Sequence, residues 1–174
     1  MANILAKYTL EGWYEFNGIG RQVGEVFYCD DGKVIGSIAD CNLGARGTEK
    51  LFLGYRNPTG QSLDFLKIAP GRRRAFDVKP IIWATEPKEN LYNELAPKKE
   101  TFNGVWLSAE GLPNIASLEK IMEETGKFPD VNKLALLDLN EMKTSWMLSN
   151  IPSSVIVAAR QVGQIGEITL TRQD

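Results

Sequence analysis

The sequence predicts an all-β domain, an antiparallel β-sandwich of about nine or ten strands with one helix inserted at about residues 114–126. Three observations predict it. Short apolar-rich runs recur along nearly the whole chain, Gly, Pro and Asn punctuate them, and a single segment carries a helical stripe instead. The 174 residues suit one domain, 1–174, with enough chain for a core that needs no metal or disulfide staple.

The elements follow in chain order. Residues 7–16 (KYTLEGWYEF) read as a strand. Residues 22–41 read as a β-hairpin around Asp31-Gly32, because a two-residue D-G turn between apolar runs is a strong hairpin signal. That turn places Cys29 opposite Val34 and Cys41 opposite Gln22. The sulfurs are then about 23 Å apart at ~3.3 Å per residue, so two free thiols and a reducing compartment are expected. Strands continue at 50–57, 62–69, 73–84, 101–108, 133–139, 154–161 and 165–171. The helix has Asn114 as its cap, an apolar stripe of Ile115, Leu118, Ile121 and Met122, and Gly126 at its end. Segment 85–100 is polar with prolines near both ends and reads as a surface excursion.

By alternation, the hairpin has no polar face. Val23, Phe27, Cys29, Val34 and Ile38 fall on one side, and Gly24, Val26, Tyr28, Ile35 and Ala39 on the other. Such a hairpin is buried on both sides, either within the domain or against another subunit. Val26, Phe27, Tyr28, Ile35 and Ile38 are therefore the candidate interface residues of a homo-oligomer.

Segment 51–78, LFLGYRNPTGQSLDFLKIAPGRRRAFDV, runs strand, N-P-T-G turn, alternating strand, P-G turn, strand. It resembles meanders of immunoglobulin-like and jelly-roll modules, including virion and surface-assembly subunits. Gly12-Trp13-Tyr14 on the first strand resembles the lipocalins, which carry Gly and Trp there near the closed end of an up-and-down barrel. That resemblance implies a small apolar ligand and a late Arg, Arg160 or Arg172, stacked on Trp13. Sandwich and lipocalin-like barrel both stay open, because strand order is invisible to periodicity.

Composition excludes several chemistries. The chain has no His, so Ser-His-Asp and Cys-His nucleophile pairs and His-ligated metals or haem are out of reach. No EF-hand spacing points to calcium, and no cofactor is expected. Twenty basic residues against 22 acidic ones leave a charge of −2, which gives no electrostatic reason to expect nucleic acid or an anionic membrane. The N-terminal residues lack signal-peptide order, so a cytoplasmic protein, or one assembled into a particle, is expected.

Few residues suggest a site. Gly18, Gly20 and Gly24 are spaced G-x-G-x-x-x-G before a strand, which reads as a turn and not a phosphate loop. Arg72, Arg73 and Arg74 form the one basic cluster and are candidates for anion binding, though a strand would send Arg73 and Arg74 to opposite faces. Glu25, between Val23 and Phe27, is the most interesting carboxylate, and the D-G register puts Asp40 on its face. Two such groups are the minimum for a glycoside hydrolase. Trp13, Trp83, Trp106 and Trp146 are read as core, with a sugar-binding platform as the alternative. The expectation is a non-catalytic structural or binding module acting through its surfaces, most of all a homo-oligomeric assembly subunit with a possible protein or carbohydrate partner. The lipocalin-like carrier is the alternative, and a carboxylate glycosidase comes third.

Overall fold

The computed structural model describes residues 3–16, 18–42, 45–47, 49–57, 62–68, 81–85, 95–108, 130–141 and 151–174. These residues form nine strands: β1 (Ile4–Glu15), β2 (Ile19–Cys29), β3 (Lys33–Asn42), β4 (Ala45–Arg46), β5 (Lys50–Asn57), β6 (Ser62–Ile68), β7 (Ile81–Thr85), β8 (Lys99–Ser108) and β9 (Ile165–Arg172). Among the described residues between β8 and β9 are the helices α1 (Val131–Leu134) and α2 (Ser153–Gln161), and residues 139–141 are helical too.

The strands form one antiparallel sheet in the order β2-β1-β9-β8-β7-β6-β5-β3-β4, and β2 also pairs with β3. That last ladder closes eight strands into a barrel, with the two-residue β4 attached to β3. The fold is therefore a β-barrel and not a sandwich. The strand periodicity was common to both architectures; the pairings of β1 with β9 and β2 with β3 separate them.

Alternation sorts the side chains into two cores. Inward-facing residues make an interior of Tyr8, Leu10, Val26, Tyr28, Val34, Ile38, Phe52, Leu63, Phe65, Trp83, Phe102, Trp106, Ile168 and Leu170. Aromatic rings fill its centre: Phe52 stacks on Phe65 at 4.0 Å, and Trp83 meets Trp106 edge-on at 4.8 Å. Gly104 and Gly166, directly paired between β8 and β9, make room for the indoles. A Cβ on Gly166 would lie 2.8 Å from Trp106 Nε1 and 2.9 Å from Trp83 Cζ3.

The second core lies outside the barrel wall. Ile35, Leu51, Leu53, Leu66, Ile68, Ile82, Ala84, Val105 and Leu107 point outward and are covered by Leu134, Ala135, Leu137 and Ala159 of the helical layer. Lys33 fastens that layer: its buried ammonium donates to the Leu137 carbonyl at 2.8 Å and pairs with Asp31 at 2.8 Å. The hairpin's two apolar faces are thus both used within one chain. Val26, Tyr28 and Ile38 face the interior; Ile35 and half-buried Phe27 belong to the outer core.

Three local expectations are corrected. The β2–β3 turn has three residues, Asp30 to Gly32, not two. Gly32 takes φ +97° and its N–H donates to the Cys29 carbonyl, so Tyr28 pairs with Val34, and Arg21, not Gln22, pairs with Cys41. Residues 133–139 and 154–161 are not strands. Asp130 caps α1, and buried Leu134 and Leu137 recur at helical spacing. In α2, Ile156 and Ala159 form the packed stripe while Val155 and Val157 stay exposed, so three-residue periodicity overrides the β-branched run. Strand β7 keeps the end of the expected 73–84 strand. The expected helix at 114–126 and most of the 85–100 excursion lie outside the described residues.

Candidate functional site

The two ends of the barrel are built differently. At the end holding the β2–β3 turn, residues 95–98, just before β8, form a strap. Four successive carbonyls are taken: Arg56 Nη1 donates to Leu95 O at 3.3 Å, Arg172 Nη1 to Ala96 O at 2.8 Å, the Tyr8 hydroxyl to Pro97 O, and the Arg172 N–H to Lys98 O at 2.8 Å. Under the strap, Arg56 Nε donates to Glu100 Oε2 at 2.7 Å and Nη2 to Oε1, while the Tyr28 hydroxyl donates to Glu100 Oε2 at 2.8 Å. The Tyr8 and Tyr28 rings stack at 3.8 Å. Burial, reinforced by the Glu100 carboxylate, pushes the Tyr28 hydroxyl well above 10.0, so it stays a donor.

The opposite end, the mouth, carries the second interior polar group. Asp40 on β3 is shared by two ammonium groups, Lys50 at 2.7 Å and Lys67 at 3.0 Å, and accepts from Gln22 Nε2 at 3.3 Å. Lys67 is buried over two rings, 5.1 Å from the Tyr14 centroid and 4.9 Å from that of Trp106. Burial lowers the Lys67 pKa against the pull of Asp40, and the nearby Lys50 charge adds to the lowering. Burial works against the Asp40 carboxylate too, but the Lys67 ammonium and the hydrogen bonds from Lys50 and Lys67 outweigh it, and its pKa is lowered below 3.8. Gln22 is fully buried, and its Oε1 has no hydrogen-bond partner.

Just outside the mouth, Glu15, Phe16, Gly18, Ile19, Val162, Gly163 and Gln164 line an open groove of about 460 Å³. Phe16 joins the two regions, since it lines the groove and packs on the interior core. Ile19 and Val162 on the rim are 77% and 72% exposed, an unusual placement for large apolar side chains.

No family model, curated protein or solved structure matches this chain.

The sequence-derived candidates are dispersed. Arg72, Arg73 and Arg74 lie outside the described residues, as does Trp146. Glu25 points outward, is well exposed, and pairs with Lys7 at 3.4 Å. Asp40 faces the interior, so the three-residue turn separates the two carboxylates that the two-residue turn had placed on one face. Trp83 and Trp106 are core, but Trp13 is on the outer face and 39% exposed. Arg172 serves the strap and pairs with Asp174, and Trp13 sits opposite Arg21 and Glu167, so the Trp–Arg stack implied by the lipocalin resemblance is not formed with Arg172. Gly18, at φ +132°, belongs to the β1–β2 turn, whereas Gly20 and Gly24, read with it as a turn, lie within β2. Both cysteines are free: Cys29 is buried, and Cys41 partly so. Among the described residues, no three acidic or cysteine side chains are gathered to hold a metal, and no helix is long and apolar enough to cross a membrane.

What sequence reasoning missed is the Lys67–Asp40–Lys50–Gln22 group. Lys67 lies in the alternating run Leu63, Phe65, Lys67, so its position on the buried face was readable. Its partners were not, because the two-residue turn put Asp40 on the wrong face, and periodicity does not encode the register of β5 and β6 against β3.

Proposed function

We propose that this chain is a non-catalytic β-barrel binding module that takes a small, predominantly apolar ligand at its mouth. The observation that carries the reading is the difference between the barrel ends. One is tied shut through the carbonyls of residues 95–98. The other presents a groove lined by Phe16 and by exposed Ile19 and Val162. The aromatic packing between the ends favours a ligand seated at the mouth over one swallowed in mid-barrel.

Native mass spectrometry of the purified protein tests the reading, followed by titration of tryptophan emission with apolar probes. A monomer or dimer carrying a few hundred daltons of small molecule (about the size such sites bury) supports it. A discrete oligomer without added mass would favour the self-assembling alternative. Tryptophan emission that no apolar probe alters would sink the binding reading.

A further inference from the structure

We propose that the ligand of the mouth is a small amphiphile with a carboxylate head and a hydroxyl beside it, the head seated on Lys67 and Lys50 and the apolar body along Phe16, Ile19 and Val162. The inference rests on the binding reading above and names the chemistry of its ligand.

The charge balance of the mouth comes first. Tyr14 from β1, Gln22 from β2, Asp40 from β3, Lys50 from β5, Lys67 from β6 and Trp106 from β8 meet there. They bring two ammonium groups and one carboxylate, an excess of one positive charge. Among the described residues lining the groove, Glu15 is the acidic one. Side-chain exposure is 3% for Lys67, 17% for Asp40 and 27% for Lys50, so the excess sits in a poorly hydrated site that still opens to solvent through Lys50. A buried cation without a full counter-charge favours an anionic guest, and charge-assisted hydrogen bonds to a carboxylate are among the stronger ones.

The second observation is independent of charge. Gln22 commits Nε2 to Asp40, which leaves Oε1 fully buried and unpartnered. A buried acceptor in that state favours a guest that brings a donor. A carboxylate cannot donate, whereas a hydroxyl next to it can. The apolar part of the ligand follows from the neighbouring groove, where Ile19 and Val162 present hydrocarbon beside Phe16, which also packs on the interior core.

The test compares four probes of equal chain length on the intact protein: 3-hydroxydecanoate, decanoate, decanol and decyltrimethylammonium. Binding is read by tryptophan emission and confirmed by native mass spectrometry. The expected result is 3-hydroxydecanoate tightest, with decanol at least about tenfold weaker, since one charge-assisted contact is worth roughly that factor. Lys67→Met should remove about that factor for the acids and leave decanol unchanged. Near-UV circular dichroism checks that the variant is folded; if it is not, Lys50→Met at the more exposed position gives the same comparison.

Decanol binding as tightly as the acids, or decyltrimethylammonium binding best, would overturn the acidic head while leaving the mouth as a binding site. Decanoate equal to 3-hydroxydecanoate would overturn the role of the hydroxyl and of Gln22. If none of the four binds, the mouth itself is not a ligand site, and both proposals fall together.

Discussion

Replacing Arg56 by Met removes one partner of an ion pair that sits beneath the strap. Arg56 and Glu100 have side-chain exposures of 3% and 10%, so little water is at hand to replace the lost guanidinium. The carboxylate would retain the Tyr28 hydroxyl at 2.8 Å and lose both donors from Arg56. The strap would also lose the bond to Leu95 O. Removing one member of a buried pair costs about 3–5 kcal/mol, most of it from the charge left behind. With a urea m-value of about 2 kcal/mol/M, the unfolding midpoint at pH 7 should fall by about 1.5–2.5 M. The buried indoles of Trp83 and Trp106 report the transition through their emission. The combined variant Arg56→Met, Glu100→Gln removes the stranded charge and keeps an acceptor for Tyr28. It should be at least about 2 kcal/mol more stable than Arg56→Met alone. A midpoint shift below about 0.5 M for the single variant, or no recovery in the double, would refute the account of a desolvated pair holding this end together.

Three further predictions concern buried groups of the barrel. Gly166→Ala puts a methyl against both indoles and 2.7 Å from the Trp13 carbonyl, and should cost about 1–3 kcal/mol by overpacking. A variant as stable as the parent, with an unaltered near-UV tryptophan spectrum, would show that the indoles have room. Asp40, held below 3.8, contributes stability that is complete above about pH 5 and is lost as the pH falls through its lower folded value. Asp40→Asn should therefore flatten the acid limb of a Tm–pH curve between about pH 5 and pH 2, and an unchanged slope would remove Asp40 from that role. Burial, helped by Asp31 and Asp30, pushes the Cys29 thiol up to about 11, leaving roughly one thiolate in a thousand at pH 8. Ellman's reagent should then titrate Cys41 in the native protein and reach Cys29 only after unfolding; rapid release of two equivalents would contradict this.

Much of the strand content could be read from periodicity, because Tyr8, Leu10 and the Leu63, Phe65, Lys67 run obey strict alternation. Closure could not. Whether β1 meets β9 is a matter of residues about 160 apart, such as Thr9 and Thr171, and no local pattern encodes it. The hairpin register failed by one residue because Asp31-Gly32 serves a three-residue turn as well as a two-residue one. That single residue decided the carboxylates, moving Asp40 inside and leaving Glu25 out. Residues 154–161 misled through Val155, Ile156 and Val157, whose β-branched side chains suit a strand until Ala159 and Ile156 are seen to share one buried stripe. The strap was invisible for another reason: its bonds end on backbone carbonyls, which carry no side-chain signature.

β9 lies between β1 and β8, yet it follows both in the chain. Until it is synthesised, a nascent sheet keeps two bare edges, one at β1 and the other at β8, each a template for pairing with a neighbouring chain. The ribosome thus releases the seam-closing strand after the other eight, and the vulnerable period lasts while residues 109–164 are made. A stop codon at Ile165 would remove β9 and leave an open, adhesive sheet in place of a closed barrel, so it should abolish soluble expression.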